Sequence, residues 1–480
     1  MRTIRDRPLQ VAQQTATGPA LYGSTTAGSM LRDLLNGTDS LDIVTIGDSN
    51  MGYSDSGVST SYGHTAGIHR YLSSFGGVNA YATPLFPGAL ASTGAWTSAM
   101  FGAGLTFTTP SDGQAGNTGN VRLLVTAAAV PDANAAAVIS NFAINTSILP
   151  KFAGLNWDAG FVASGVTYTS PANQNYIGLG TTNLINIGTG SGSTNCQYRV
   201  VYAKFTTTGG QFKPVVWSSS GSTVASSFVS TAGGSAGNWY GTTTLDFVTR
   251  SPVVENRCGW DGLAQSASTT GPFACLWHSV VRRSFKGYAV NPLIYDGGKK
   301  TGELADRIEG MGNLLDSYLK ELYERQKAHG GSGRLLVYVN SGINQPETAA
   351  QWTAAADRIV NRITERWVSG GGSRSNLAFV FTITHPCTVD PWLSSRPALA
   401  TNANQYAQTR TSSNISVVDI AVAYPGYKLL NGSTPSGTLY SSVGATDAER
   451  QAHLTFATNT QANGYDAVAG SVMMSLMSKT

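Results

Sequence analysis

Ser49, Asn344 and His453 are the residues whose types and surroundings fit acyl-transfer chemistry. In that chemistry a serine attacks, a histidine takes its proton, and N–H or amide donors hold the oxyanion. Ser49 lies in "LDIVTIGDSNMGYSD" (41–55), just beyond an apolar, β-branched run. Asn344 lies in "SGINQ", after the apolar run "RLLVYV". Gly298 and Gly302 follow "NPLIY" in "DGGKKTGEL", and His453 closes "GATDAERQAH" ahead of "NGYDAVAGSVMMSLM". Each residue also has an ordinary reading. Ser49 fits a strand-to-loop turn, Asn344 a turn or a helix N-cap before "QPETAAQW", His453 a partly buried surface histidine, and the glycines a turn and a helix entry.

The elements that must position these residues are legible. "TGELADRIEGMGNLLDSYLKELYERQKAHGG" has apolar residues at helical spacing and ends at glycine. After the "RLLVYVNSG" strand come the helix "PETAAQWTAAADRIVNRITERWVSGGG", the strand "NLAFVFTITHP", the helix "ALATNANQYAQTRTS" and the strand "ISVVDIA". Alternating strands and helices predict a parallel sheet covered on both faces, to which "LDIVTI" belongs. Ligands of such sheets bind at the carboxyl ends of the strands, where Ser49, Gly302 and Asn344 fall. Between roughly 80 and 285 the style changes to short β-branched runs ("NVRLLVTAAAV", "CQYRVVYAKF", "KPVVW", "TLDFVTR") separated by Gly-, Ser- and Thr-rich turns. That pattern predicts an antiparallel, jelly-roll-like β-sandwich. The expected organisation is an N-terminal arm or linker over 1–35, a discontinuous α/β domain over 36–80 and 286–480, and an inserted β-sandwich over 81–285.

In order, these motifs resemble the SGNH (GDSL) hydrolase family. "IGDSN" is similar to its first block, with Ser49 at the nucleophile position. "YDGGKKTGELADRI" resembles the second, with Gly302 as the oxyanion glycine, and "SGINQ" resembles the Gly-x-Asn-Asp block, with Asn344 as the amide donor. His453 matches the histidine of the Asp-x-x-His block. The resemblance covers the α/β parts, about half the chain, and implies a flavodoxin-like three-layer α/β fold. It also implies ester hydrolysis through an acyl-enzyme, with the N–H groups of Ser49 and Gly302 and the Asn344 side chain holding the oxyanion. No metal or organic cofactor is implied. Two positions depart from the family: Gln345 stands where Asp is usual, and Arg450 stands three residues before His453 where the acid belongs. Asp447 is the nominated acid and Glu449 the alternative, while a Ser–His dyad held by a backbone carbonyl needs neither.

Composition narrows the partners. Charged residues make up 12% of the 480, against about 25% in ordinary soluble proteins, while glycine is abundant at 55. The net charge of +4 comes without a basic run, so nucleic-acid binding has no electrostatic support. The first residues, "MRTIRDRPLQVAQQTATG", have no apolar h-region, and no run of about 18 apolar residues occurs. Neither a secretory signal nor a membrane span is therefore expected. A neutral, polar, β-rich surface without a signal fits a virion surface or an extracellular setting. The inserted β-domain points to a glycan partner, with aromatic residues such as "NWY" (238–240) and Trp260 as sugar platforms or as core. The expected substrate is an O-acetylated polysaccharide, possible neighbours are other virion proteins, and the competing expectation is a non-catalytic virion structural or receptor-binding protein. The four cysteines, Cys196, Cys258, Cys275 and Cys387, match no zinc spacing and leave a Cys258–Cys275 disulfide and buried thiols both open.

Overall fold

The structure is a computed structural model. It describes residues 21–48, 50–51, 63–87, 89–90, 105–108, 157–158, 160–162, 176–179, 194–204, 211–218, 223–235, 237–249, 256–261, 273–283, 286–295, 299–341, 344, 347–385, 392–423 and 464–478. The chain divides into two compact units. One comprises Met1–Ala80, Lys286–Ile308 and Gly330–Thr480, the other Tyr81–Phe285 and Glu309–His329.

The first unit is built on a mostly parallel sheet. Its strands are β1 (Leu21–Gly23), β2 (Leu41–Gly47), β3 (Tyr288–Tyr295), β4 (Leu335–Ser341), β5 (Leu377–Ile383) and β6 (Ile415–Asp419). They lie in the order β1-β6-β5-β4-β2-β3, and only β1 runs antiparallel. Every residue of β2, β5 and β6 is buried. Strands covered on both faces need no polar alternation, which is why their sequences are mostly apolar runs, with a few buried polar residues such as Asp42 and Thr382. Counted along the chain, the parallel strands are ordered 2-1-3-4-5, so the direction of winding reverses at β2.

Helices cover both faces. On one face α1 (Thr26–Leu35), α2 (His64–Ser73) and α6 (Gly464–Ser478) bury Leu31, Ile68 and Val472 with Ile43, Val290 and Val380 of the sheet. On the other, Trp352 of α4 (Ala349–Ser369) and Tyr406 of α5 (Trp392–Thr409) pack edge-on against Phe381 of β5. Helix α4 starts with a capping box in which Thr348 and Gln351 satisfy each other's backbone N–H.

Two sequence expectations change here. Residues 21–35, read as the end of an arm or linker leading into a short helix at "MLRDLLNG", are β1 and α1, so the helix is present and starts earlier, and a strand precedes it. Tyr22 pairs with Val417, and Met30, Leu31 and Leu34 are core. Three residues are too few to show a strand period, so β1 exists only because β6 offers it an edge. The long helical stretch after residue 300 is two helices, α3 (Thr301–Gly310) and Leu314–Ala328, parted at Gly312, whose φ of 52° favours glycine. The second of these groups with the second unit.

In the second unit the described strands pair antiparallel. Thr194–Ala203 pairs with Tyr240–Thr249 and with Phe273–Arg282, and Asn256–Asp261 pairs with Gln211–Ser218 and Tyr176–Leu179 in a separate sheet. Helix Leu314–Ala328 docks on the first of these sheets. Trp277 Nε1 donates to Ser317 Oγ at 2.9 Å, and Arg199 forks onto the Glu321 carboxylate at 2.5 and 3.1 Å. Trp239 is only 3% exposed, so it is core and not a sugar platform. The Trp260 side chain lies outside the described residues. Cys196 is a buried free thiol.

Candidate active site

The winding reverses at β2, and in doubly wound sheets it is at the carboxyl ends of the strands beside such a reversal that ligands bind. Gly47 ends β2, opposite Asn340 of β4 and Tyr295 of β3. A Cβ at Gly47 would sit 2.5 Å from the Asn340 carbonyl oxygen, so only glycine lets the chain leave the strand here. The next described residues, Asp48, Asn50 and Met51, are all fully buried. They form a tight turn: Asn50 N donates to Asp48 Oδ1 at 2.9 Å, and Met51 N to the Asp48 carbonyl at 3.0 Å.

This turn caps helix α2. His64 N donates to the Asn50 carbonyl at 2.8 Å and Thr65 N to the Met51 carbonyl at 3.0 Å. These are N–H groups of the helix's first turn, which have no partner within the helix, and among the described residues no side chain caps it. Thr45 and Thr65 add a hydroxyl–hydroxyl bond at 2.8 Å. His64 is fully buried, and its Nδ1 lies 2.8 Å from the Tyr338 hydroxyl. Burial, helped by nearby His385, lowers its pKa to about 3, so the ring is neutral. Burial likewise raises the Tyr338 phenol pKa. Asn340 is 1% exposed and accepts from Thr382 Oγ1 at 2.6 Å. Its Nδ2 has no partner among the described residues, nor have His64 Nε2 and Thr384 Oγ1.

Gly302 and Asn344 sit on segments that touch. Asn344 Nδ2 donates to the Lys299 carbonyl at 3.3 Å, just ahead of α3. Glu347 spans the start of that helix, accepting from Thr301 N at 3.2 Å and Gly302 N at 2.9 Å. A carboxylate on free N–H groups at the positive end of a helix is a favourable cap. The Gly302 N–H, expected as an oxyanion donor, thus holds a protein carboxylate. Ser49, His453, Asp447, Glu449, Arg450, Gln345 and Gly298 lie outside the described residues.

Sequence reasoning met Asn340 only as a residue following "RLLVYV" and did not single out Asn50, His64, Tyr338, Glu347 or Tyr465, whose contacts shape this edge. Asn50 was adjacent to the nominated nucleophile, which is the one signal that could have found it. Among the described residues no cluster of three His, Cys, Asp or Glu could hold a metal, and no helix is long and apolar enough to cross a membrane.

No protein-family model matches the chain, and no curated protein matches it. Among solved structures it is similar to a peptidoglycan O-acetylesterase, at 12% identity and a TM-score of 0.47, over 95% of this chain and 97% of that one. It is also similar to a family two carbohydrate esterase from Clostridium thermocellum, at 10% identity and a TM-score of 0.25, over 67% of this chain and 99% of that one. One from Cellvibrio japonicus has 11% identity and a TM-score of 0.20, over 55% and 86%. At these scores the likeness carries no weight for activity. The chain's own topology makes it a mixed α/β protein with a doubly wound sheet and separate antiparallel sheets.

Proposed function

We propose that the chain is a serine esterase of the SGNH type, hydrolysing ester groups, O-acetyl first among them, on a polysaccharide or cell-surface glycan. One observation carries this reading: the segments holding Ser49, Gly302 and Asn344 follow the carboxyl ends of β2, β3 and β4, three neighbouring strands at the winding reversal. In this reading Ser49 Oγ attacks the acyl carbon and its proton passes to His453. Collapse of the oxyanion expels the sugar alkoxide, which takes that proton. Water then attacks the acyl-enzyme, again losing a proton to His453, and the carboxylic acid leaves as the proton returns to Ser49. The N–H groups of Ser49 and Gly302 and the Asn344 amide hold the oxyanion, and Asp447 orients the imidazole.

The glycan class rests on the β-rich segment between the first two motifs, read as a jelly-roll-like sandwich, and on the sparse charge of the chain. A virion surface is the setting that fits this surface composition. A second reading, a non-catalytic virion structural or receptor-binding protein, is favoured by Arg450 and by the Glu347 carboxylate on the Gly302 N–H.

The test is hydrolysis of p-nitrophenyl acetate and acetate release from O-acetylated polysaccharide. Ser49→Ala is expected to abolish both. Asp447→Asn is expected to slow them noticeably but far less, because the acid orients the base while the nucleophile forms the bond. Equal rates for wild type and Ser49→Ala on both substrates would decide for the non-catalytic reading.

A further inference from the structure

The residue after the nominated nucleophile is held from three directions. Asn50 is fully buried, and each kind of polar group it has is engaged. Its main-chain N–H and its Nδ2 reach Asp48 Oδ1 at 2.9 and 3.4 Å, and its carbonyl accepts from His64 N at 2.8 Å. Its Oδ1 accepts from the Tyr465 hydroxyl at 2.9 Å. Tyr465 is itself fully buried, in the first turn of α6, the helix that follows the segment carrying His453. It meets the His64 ring edge-on at 5.8 Å, and His64 is held in turn by Tyr338.

Helix α6 is fixed where it carries this hydroxyl. A Cβ on Gly67 of α2 would lie 2.6 Å from the Tyr465 carbonyl oxygen, so the two helices touch backbone to side-chain-free backbone. Arg70 of α2 closes an ion pair with Asp466 at 2.6 Å. A tyrosine hydroxyl set this firmly is more than a filler of apolar space, since a phenylalanine would pack as well and leave Asn50 Oδ1 without its donor.

We propose that Tyr465 is a positioning residue for Ser49, acting through its neighbour Asn50 and tying the turn of Asp48, Asn50 and Met51 to helix α6. The inference rests on the esterase reading. Small displacements of a nucleophile are costly because the reaction needs atoms at near-contact distance and aligned. The loss acts on turnover rather than on substrate binding, so kcat falls while KM does not.

Tyr465→Phe deletes one hydroxyl and keeps the ring. It is expected to lower kcat for p-nitrophenyl acetate about 2- to 10-fold, the worth of one buried hydrogen bond, with KM within about twofold. Labelling of Ser49 by a fluorophosphonate should slow in parallel. Tyr288→Phe serves as the control. Its hydroxyl is also buried, 3.2 Å from His69 Nδ1, but it lies at the amino end of β3. It should lower the melting temperature and leave kcat as in wild type. Wild-type kcat and labelling in Tyr465→Phe, alongside turnover that depends on Ser49, would overturn the positioning role alone. Absence of any Ser49-dependent turnover in the wild type would overturn the esterase reading and this role with it.

Discussion

The two units each bury a polar network, and the networks are of opposite kinds. In the second unit Arg199, Glu321 and Gln197 form a charged and saturated set. The guanidinium places Nε and Nη2 on Glu321 and Nη1 on Gln197 at 2.8 Å, and Thr242 reaches Glu321 at 3.5 Å. At the carboxyl edge of the first unit lies a set of buried neutral side chains, His64, Tyr338, Asn340 and Thr384, on the same edge as the buried Asp48 carboxylate, and three of their atoms, in His64, Asn340 and Thr384, have no partner among the described residues. A saturated ion pair fixes one docking geometry, here a helix on a sheet. Unsatisfied neutral polar atoms cost stability without fixing geometry.

The comparison breaks most visibly at Glu321. Glu321→Ala should cost about 3–5 kcal/mol, because it leaves Arg199 charged and buried, with only the Gln197 oxygen and the more distant, part-exposed Glu324 carboxylate at 3.8 Å to face it. Arg199→Met combined with Glu321→Leu should be close to neutral, since an apolar pair of similar volume avoids the desolvation of both ions. Urea denaturation of the three proteins measures this. Full stability in Glu321→Ala would mean that the pair does not hold the helix.

Acid should separate the two networks next. His64 and His69 both lie on α2, and burial lowers their pKa values to about 3 and about 4, with His385 and Arg70 adding to the effect. An unfolded chain would protonate both near pH 6.5, so it binds more protons than the fold below that pH. The stability they allow is complete above about pH 6.5 and falls on acidification, by about 3 kcal/mol for the pair at pH 5.5, until the folded pKa values are reached. Denaturation midpoints between pH 8 and 5 test this. In His69→Phe the slope should halve; an unchanged slope would show that His69 is not buried neutral.

The smallest effect sharpens the comparison at α3. Glu347→Ala removes a helix cap and should cost about 0.3–1 kcal/mol. It should also raise kcat/KM for p-nitrophenyl acetate about 2- to 5-fold, because the Gly302 N–H no longer has a resident carboxylate to exchange for the oxyanion. Unchanged or lower turnover in a folded Glu347→Ala would mean that Gly302 is not an oxyanion donor.

The parallel strands were legible because each is a short apolar run buried on both faces, as in "LDIVTI" and "NLAFVFTI", and that requirement is written locally. Helix α4 was legible for a similar reason: its apolar period and its glycine end are visible from residue to residue. Strand β1 was not, because three residues cannot show a period. The break at Gly312 was not, because glycines occur throughout this chain and the apolar spacing runs on past it.

By itself the sequence determined which segments must be buried strands and helices, and that Ser49, Gly302 and Asn344 follow strand ends. The tertiary structure decided what lies beside them. The Glu347 carboxylate reaches Gly302 from 45 residues away, and the Tyr465 hydroxyl reaches Asn50 from 415 away. Local patterning carries no information at such separations. Those contacts exist because strand order and helix packing bring together atoms that the chain itself keeps apart.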